Sequence, residues 1–409
     1  MIVRRNEAMR RDELLYYFAL TVFLATLFID QTELRATMEP TMKMALRLIR
    51  YASVCLMAVK LIIAGSYPRT YLLLAATGAL IALACALSSG RKILVYTAIA
   101  AAGAYRMDRD KVFTVATFTF LAGTLITVFL SQTGVFHDYI LEGARGRHTL
   151  GFNWVTLSSI YWMFITVGYC NIRKDKITFI EIAAMGLGAI YLYKMTDARM
   201  SAGINFVFLL GVLAQKYLFH NGWKVIKAFN NMACILPFAL FAAVIIIQLL
   251  YKPGDTLWDE LNQLLSTRLS LGARSMELPI TLFGQKVEWH GNSLGEGILT
   301  GNNALYNYVD CSYLRIMIDY GIAGIATTLA IYAYGIFKAV REKNGLLIWS
   351  YILVLCFCLT EPWMTEFSFN PFLLIAISGC VSLPEREREA HRIRFHPGRA
   401  GLMPETMKN

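Results

Sequence analysis

Arg268, Arg274 and His290 fall in a polar stretch, 251–307, that interrupts an otherwise apolar chain, and Asp310 lies just beyond it. Two other polar segments carry Arg145, Arg147 and His148, and Arg199. Guanidinium groups bind phosphate oxygens through paired, charge-assisted hydrogen bonds, so several converging arginines suit a diphosphate. For each arginine the competing reading is headgroup contact or snorkelling. Asp310 could accept a proton from a hydroxyl, although a solvated Asp has a pKa near ~3.9 and becomes a useful base only in a dry site. Its other reading is the cap of a helix beginning near Cys311. His290 and His148 are the remaining candidate bases, while His137 and Asp138 read as ordinary loop residues. Tyr313, with Trp258, Trp289, Tyr306 and Tyr308, could stack on sugar faces or anchor a membrane interface. The chain has no CxxC, no HExxH and no paired His at ligand spacing, so neither a metal nor another cofactor is expected.

The elements that must position these residues are membrane helices. The chain is 56% hydrophobic, and apolar runs near the ~20 residues needed to cross a bilayer recur along it. These predict an all-α polytopic membrane protein of about twelve transmembrane helices, at about 14–29, 44–64, 70–88, 92–106, 112–131, 151–171, 177–194, 199–219, 228–250, 317–338, 345–361 and 365–383. One bundle, 1–383, holds a large outward loop, 251–316, and a basic tail, 384–409, follows. Arg4, Arg5, Arg10 and Arg11 precede the first run, and Lys and Arg then cluster at 106–111, 171–176, 216–227, 338–343 and 386–399. These are alternate loops, so the positive-inside rule places both termini in the cytoplasm and turns 131–150, 194–200 and 251–307 outward. The first run lacks a small-residue cleavage site and reads as a retained anchor.

The net charge of +11 is accounted for by the inward loops and the tail, which would attract anionic lipid. Nucleic acid is not called for as a partner. Arg47 and Arg50 lie one turn apart inside the second run, where a charge near the bilayer centre costs ~2.5 to 3.5 kcal/mol. They should snorkel, form an ion pair, or extend the positive site from within. Seven of the eight cysteines lie in or beside apolar runs, which argues against a disulfide framework. Within the large loop, Trp258, Leu261, Leu265 and Leu269 recur at helical spacing until Pro279, predicting an interfacial helix over 258–278. The Gly- and Asn-rich stretch after it reads as irregular backbone.

Five short motifs occur in one order: Arg145-Gly-Arg-His-Thr-Leu-Gly-Phe152, Thr196-Asp-Ala-Arg199, Leu265-Ser-Thr-Arg268-Leu, Leu282-Phe-Gly-Gln285, and Val309-Asp-Cys-Ser-Tyr-Leu314 followed by Tyr320-Gly321. Together with the helix layout they resemble the bacterial Wzy-type polysaccharide repeat-unit polymerases of capsule, exopolysaccharide and O-antigen synthesis. The resemblance covers about 130–385 by motif and the rest by hydropathy. It implies a glycosyltransferase that joins undecaprenyl-diphosphate-linked oligosaccharides at the outer face of the bacterial cytoplasmic membrane. It also implies a chain-length regulator and a flippase of the same pathway as partners. Family arginines in the third and fifth outward loops match Arg145 and Arg147, and Arg268 and Arg274. Related O-antigen ligases carry His-Asn-x-Tyr-Leu before a Gly-bearing helix. Here Asp310 stands in place of that His, which leans towards polymerase.

On this reading Asp310, Arg199 and Arg268 are catalytic. Arg145, Arg147, His148, His290, Tyr313, Arg47 and Arg50 join the two arginines in binding substrate. A lipid-linked oligosaccharide flippase, a ligase-like transferase and a non-catalytic assembly factor are the rival readings. A flippase should line its midplane with polar groups, whereas here they gather outside.

Overall fold

The computed structural model describes residues 11–63, 67–141, 146–218, 230–291, 293, 294 and 306–379. Helix dominates them. In chain order the helices are α1 (Arg11–Ile29), α2 (Leu34–Thr37), α3 (Pro40–Ile63), α4 (Arg69–Ser89), α5 (Ile93–Gly103), α6 (Arg109–Gln132), α7 (Leu157–Arg173) and α8 (Phe179–Thr196). They continue with α9 (Arg199–Leu213), α10 (Asn230–Ala233), α11 (Leu236–Leu250), α12 (Thr256–Leu264), α13 (Arg268–Ser275), α14 (Ser312–Arg341), α15 (Gly345–Phe357) and α16 (Phe372–Ile377). One two-stranded ribbon, β1 (Ile140–Leu141) with β2 (Arg147–His148), stands between α6 and α7.

Among the described residues six helices, α1, α4, α6, α8, α9 and α14, are long and apolar enough to cross a membrane by length and composition. At 1.5 Å per residue an 18-residue helix covers about 27 Å, close to a hydrocarbon core. α5, α11 and α15 are apolar but shorter, and α3 is interrupted by Lys43, Arg47, Arg50 and Lys60. Leu74, Leu87, Ile62 and Ile180 are 74% to 80% exposed. Water would penalise so large an apolar surface, and lipid would not. The chain is therefore an all-α membrane protein.

Connections that the sequence assigns to alternate sides form two groups, each bonded within itself. At one end Glu33 N donates to Gly151 O, Asn153 N to Gln31 O, and Ser312 N to Cys358 O, at 2.9 to 3.0 Å. At the other, Arg109 pairs with Glu342 at 2.5 Å, Lys174 pairs with Asp110, and Gly379 N donates to Met107 O. Asp108 caps α6 at this second end, accepting from Asp110 N and Lys111 N.

Three elements depart from expectation. The continuous interfacial helix over 258–278 is instead α12 and α13, broken at Ser266 and Thr267, whose φ values are 54° and 64°. Asn262 accounts for the break: its carbonyl accepts from Thr267 N and its side chain from Ser270 N. Such local bonds compete with the helical ladder.

The run at 365–383 is not one helix. Residues 358–371 are irregular and only α16 is helical among the described residues that follow. The apolar run of α16 gives 365–383 its high mean hydropathy, while 358–371 is mixed, with Thr360, Glu361, Thr365, Glu366, Ser368 and Asn370 among its apolar residues. Fully buried Asn370 donates to Tyr332 Oη and Trp363 O and accepts from Phe372 N, at 2.8 to 3.1 Å. Irregular backbone survives at membrane depth only where protein satisfies it in this way.

α14 begins at Ser312 rather than 317, and it is interrupted at Gly321, with φ 71° and ψ −172°. Segment 281–284 enters the gap: Thr281 O and Leu282 O accept from Ile322 N and Ala323 N at 3.1 and 2.9 Å. Gly284, at φ 82°, faces Gly321 so closely that a Cβ on either would overlap the other segment's backbone. The tail 384–409 lies outside the described residues.

Candidate functional site

Two separate chain reversals aim Arg268 at Asp310. The left-handed corner at Ser266 and Thr267 turns α13 so that Arg268 is its first residue. Asp310 immediately precedes the N-cap of α14, which is Cys311 with no side-chain capping bond. Asp310 is thus no helix cap. Arg268 Nε lies 3.4 Å from Asp310 Oδ2 and donates to Thr360 O at 3.1 Å, while Nη2 reaches Glu361 Oε1 at 3.5 Å. Glu361 sits on the irregular segment after α15. Its place is fixed by Ser312 Oγ, which donates to its carbonyl, and by Trp363 Nε1, which donates to Oε2 at 3.1 Å.

Asp310 and Glu361 thus flank one guanidinium in a largely dry setting, with Glu361 12% exposed and Asp310 21%. Burial and then repulsion from Asp310 push the Glu361 carboxyl up to about 8, against the opposing pull of Arg268, the Trp363 bond and Arg147. Burial also raises Asp310, with Arg268 and Arg315 holding it down. Two carboxyls and one nearby arginine favour a shared proton, as in other paired-acid sites. Arg147 approaches from β2, its Nε donating to Thr196 O at 2.8 Å.

The remaining predicted residues divide between this end and the helix packing. Arg199 is 64% exposed and contacts Asp197 at 3.4 Å, on the same turn that Arg147 holds through Thr196. His148 Nδ1 is 2.6 Å from Asp138 Oδ2, and Asp138 Oδ1 accepts from Leu150 N, so Asp138 anchors β2 and is more than an ordinary loop residue. His290 is bracketed by Asn307, whose Oδ1 accepts from its backbone N at 2.7 Å. Arg274 and Arg47 are exposed.

Arg50 pairs with Asp30 at 2.6 Å and donates to Thr26 O, which is an α1–α3 clasp and not an extension of the cluster. Tyr313 is fully buried with its hydroxyl donating to Leu355 O, so it packs α14 on α15 and presents no face to a sugar. Arg145 lies outside the described residues. Among those residues no group of three or more His, Cys, Asp or Glu is placed to hold a metal ion.

Sequence reasoning missed Glu361 and a neighbouring cluster made by Arg91, Arg315 and Asp319. Asp319 Oδ2 accepts from Arg315 Nε at 2.8 Å and meets Arg91 Nε at 3.3 Å, while Oδ1 accepts from Trp289 Nε1 at 2.8 Å. The one available signal was Arg315 and Asp319 at i, i+4 beside the Asp310 motif, a spacing that places both on one helix face. No protein-family model, curated protein or solved structure matches the chain.

Proposed function

We propose that this chain is a bacterial Wzy-type glycosyltransferase, a twelve-pass protein with both termini in the cytoplasm. It joins undecaprenyl-diphosphate-linked oligosaccharide repeat units at the outer face of the cytoplasmic membrane. The observation that carries the reading is Arg268 held between Asp310 and Glu361, with Arg147 acting on Glu361. A proton acceptor and diphosphate-binding cations stand together there.

In the reaction, the acceptor hydroxyl oxygen bonds to the anomeric carbon of the donor. The bond from that carbon to the phosphate oxygen breaks, and its electron pair leaves with the lipid diphosphate. Asp310 takes the hydroxyl proton. Arg268 and Arg147 neutralise the leaving charge, where one well-placed donor is worth ~3 to 4 kcal/mol. Glu361 keeps its proton at neutral pH and so adds no charge to repel the diphosphate.

The test supplies purified protein with lipid-linked single repeat units. Wild type should form dimeric product, and Asp310→Asn should lose about 10²- to 10⁴-fold in rate. Arg268→Lys keeps the charge but loses the planar fork, and should also fall sharply. Turnover of Asp310→Asn within a few-fold of wild type sinks the base assignment.

A second reading, a lipid-linked oligosaccharide exporter, is favoured by the break in α14 and the irregular 358–371 segment, since transporters build sites from discontinuous helices. Transport by wild-type protein in proteoliposomes with no joined product would select it.

A further inference from the structure

The cluster around Arg315 is more elaborate than a structural ion pair requires. Arg315 is 11% exposed, and its guanidinium lies between two rings, 4.6 Å from the centre of Trp289 and 4.3 Å from that of Tyr308. Stacking of this kind fixes the plane of the group and therefore the direction of its hydrogen bonds. Nε is committed to Asp319, but Nη1 is buried and has no acceptor among the described residues. Asp319 does not supply one: Oδ2 serves Arg315 Nε and Arg91, and Oδ1 serves Trp289. A buried donor left unsatisfied costs about 1–3 kcal/mol, more when charged.

Further arginines gather at the cluster. Arg315, Arg91 and Arg35 all act on Glu366. Asp319 pairs with two of these arginines, Arg91 and Arg315. The cluster is also contiguous with the first site. Arg315 acts on Asp310, and Tyr308 lies two residues before it. Arg91 is 33% exposed, on the short connection between α4 and α5, and is reachable from outside the cluster.

We infer that Arg91 and Arg315, framed by Trp289 and Tyr308, form a second subsite that takes an acidic group, a carboxylate or phosphate, borne by the glycan being joined. The identity of that glycan rests on the proposed function. Oriented guanidinium N–H groups suit a planar or tetrahedral oxyanion, and ring faces beside them suit the C–H surface of a pyranose. The subsite would select repeat units by charge at a point adjoining Asp310.

Binding of methyl glucuronide, methyl glucoside and inorganic diphosphate to the purified full-length protein tests this. Arg91→Gln is the main variant because Arg91 is partly exposed, whereas loss of the buried Arg315 risks the fold. Methyl glucuronide should bind saturably, weaken about ten-fold or more in Arg91→Gln, and be unaffected by Arg268→Gln. Methyl glucoside should not bind. If diphosphate alone weakens in Arg91→Gln, the recognised group is phosphate. Undiminished affinity of Arg91→Gln for both anions, or no saturable binding of either to wild type, overturns the subsite. Methyl glucuronide lost in Arg268→Gln alone overturns the subsite while sparing the proposed donor site, and diphosphate that binds Arg268→Gln as tightly as wild type overturns the donor site while sparing the subsite.

Discussion

Arg268 meets Asp310 and Glu361 at nearly equal distances, 3.4 and 3.5 Å, so the protonation of either acid sets how much positive charge the site offers a ligand. The Glu361 carboxyl, pushed up to about 8 by burial and by Asp310, is protonated at neutral pH. As pH rises through that value it ionises, the site gains a negative charge, and a diphosphate is repelled. Activity should therefore fall on the alkaline side of about 8, chiefly as a weaker apparent affinity for lipid-linked substrate. Glu361→Gln is permanently neutral. It should work near the wild-type rate at neutral pH and lack the alkaline fall, and an unchanged pH profile in this variant would refute the role of Glu361. The sequence exposed Arg147, Arg268 and Asp310 because each stands in a polar segment, where a charge invites explanation. Glu361, Arg91 and Arg315 were hidden at the ends of apolar runs, where a charged residue is indistinguishable from an ordinary interfacial anchor.

The same ambiguity operates on elements. Hydropathy located most of the apolar helices but read 365–383 as a span, because the apolar run Phe372–Ile377 carries the average across the irregular residues before it. What makes 358–371 irregular is visible only in three dimensions, in Asn370 and Tyr332 bonding its backbone. α14 repeats the lesson. Gly321 is legible as a helix weakness, but nothing local shows that 281–284 fills the gap. This interlock sets the site, since it lies two residues from Asp319 and five from Trp289 along the two segments it joins. At Gly321 a side chain meets both an unfavourable φ and the backbone of Leu282 and Gly284. Gly321→Ala should therefore lose ~1 to 3 kcal/mol or more of stability, read as a lower melting temperature in detergent, with joined product falling together with it. Gly78→Ala, at a helical position with nothing within 4 Å, is the control expected to melt like wild type. Equal melting of the two variants would show that the segments do not interlock as described.

At the scale of the molecule, charge and packing give independent views of one arrangement. Lys and Arg crowd alternate connections, and the hydrogen bonds sort those connections into two ends. The acidic partners Asp110, Glu181 and Glu342 meet Lys174, Arg173 and Arg109 at the end opposite Arg268. Under the positive-inside rule the orientation expected of such a bundle, and the one proposed, puts the Arg268 end outside. Three exposed positions read it directly. Gly134 follows α6 and Gly254 precedes α12, each with open space where a side chain would go, while Asp175 follows α7 at the opposite end. Cysteines placed there should be reached by a membrane-impermeant thiol reagent in intact spheroplasts at 134 and 254 but not at 175. After permeabilisation 175 should label too, which separates shielding by the membrane from shielding by the fold. Labelling of 175 alone in intact cells would invert the protein, expose Asp310 and Arg268 to the cytoplasm, and leave a lipid-linked donor on the outer leaflet with no access to them.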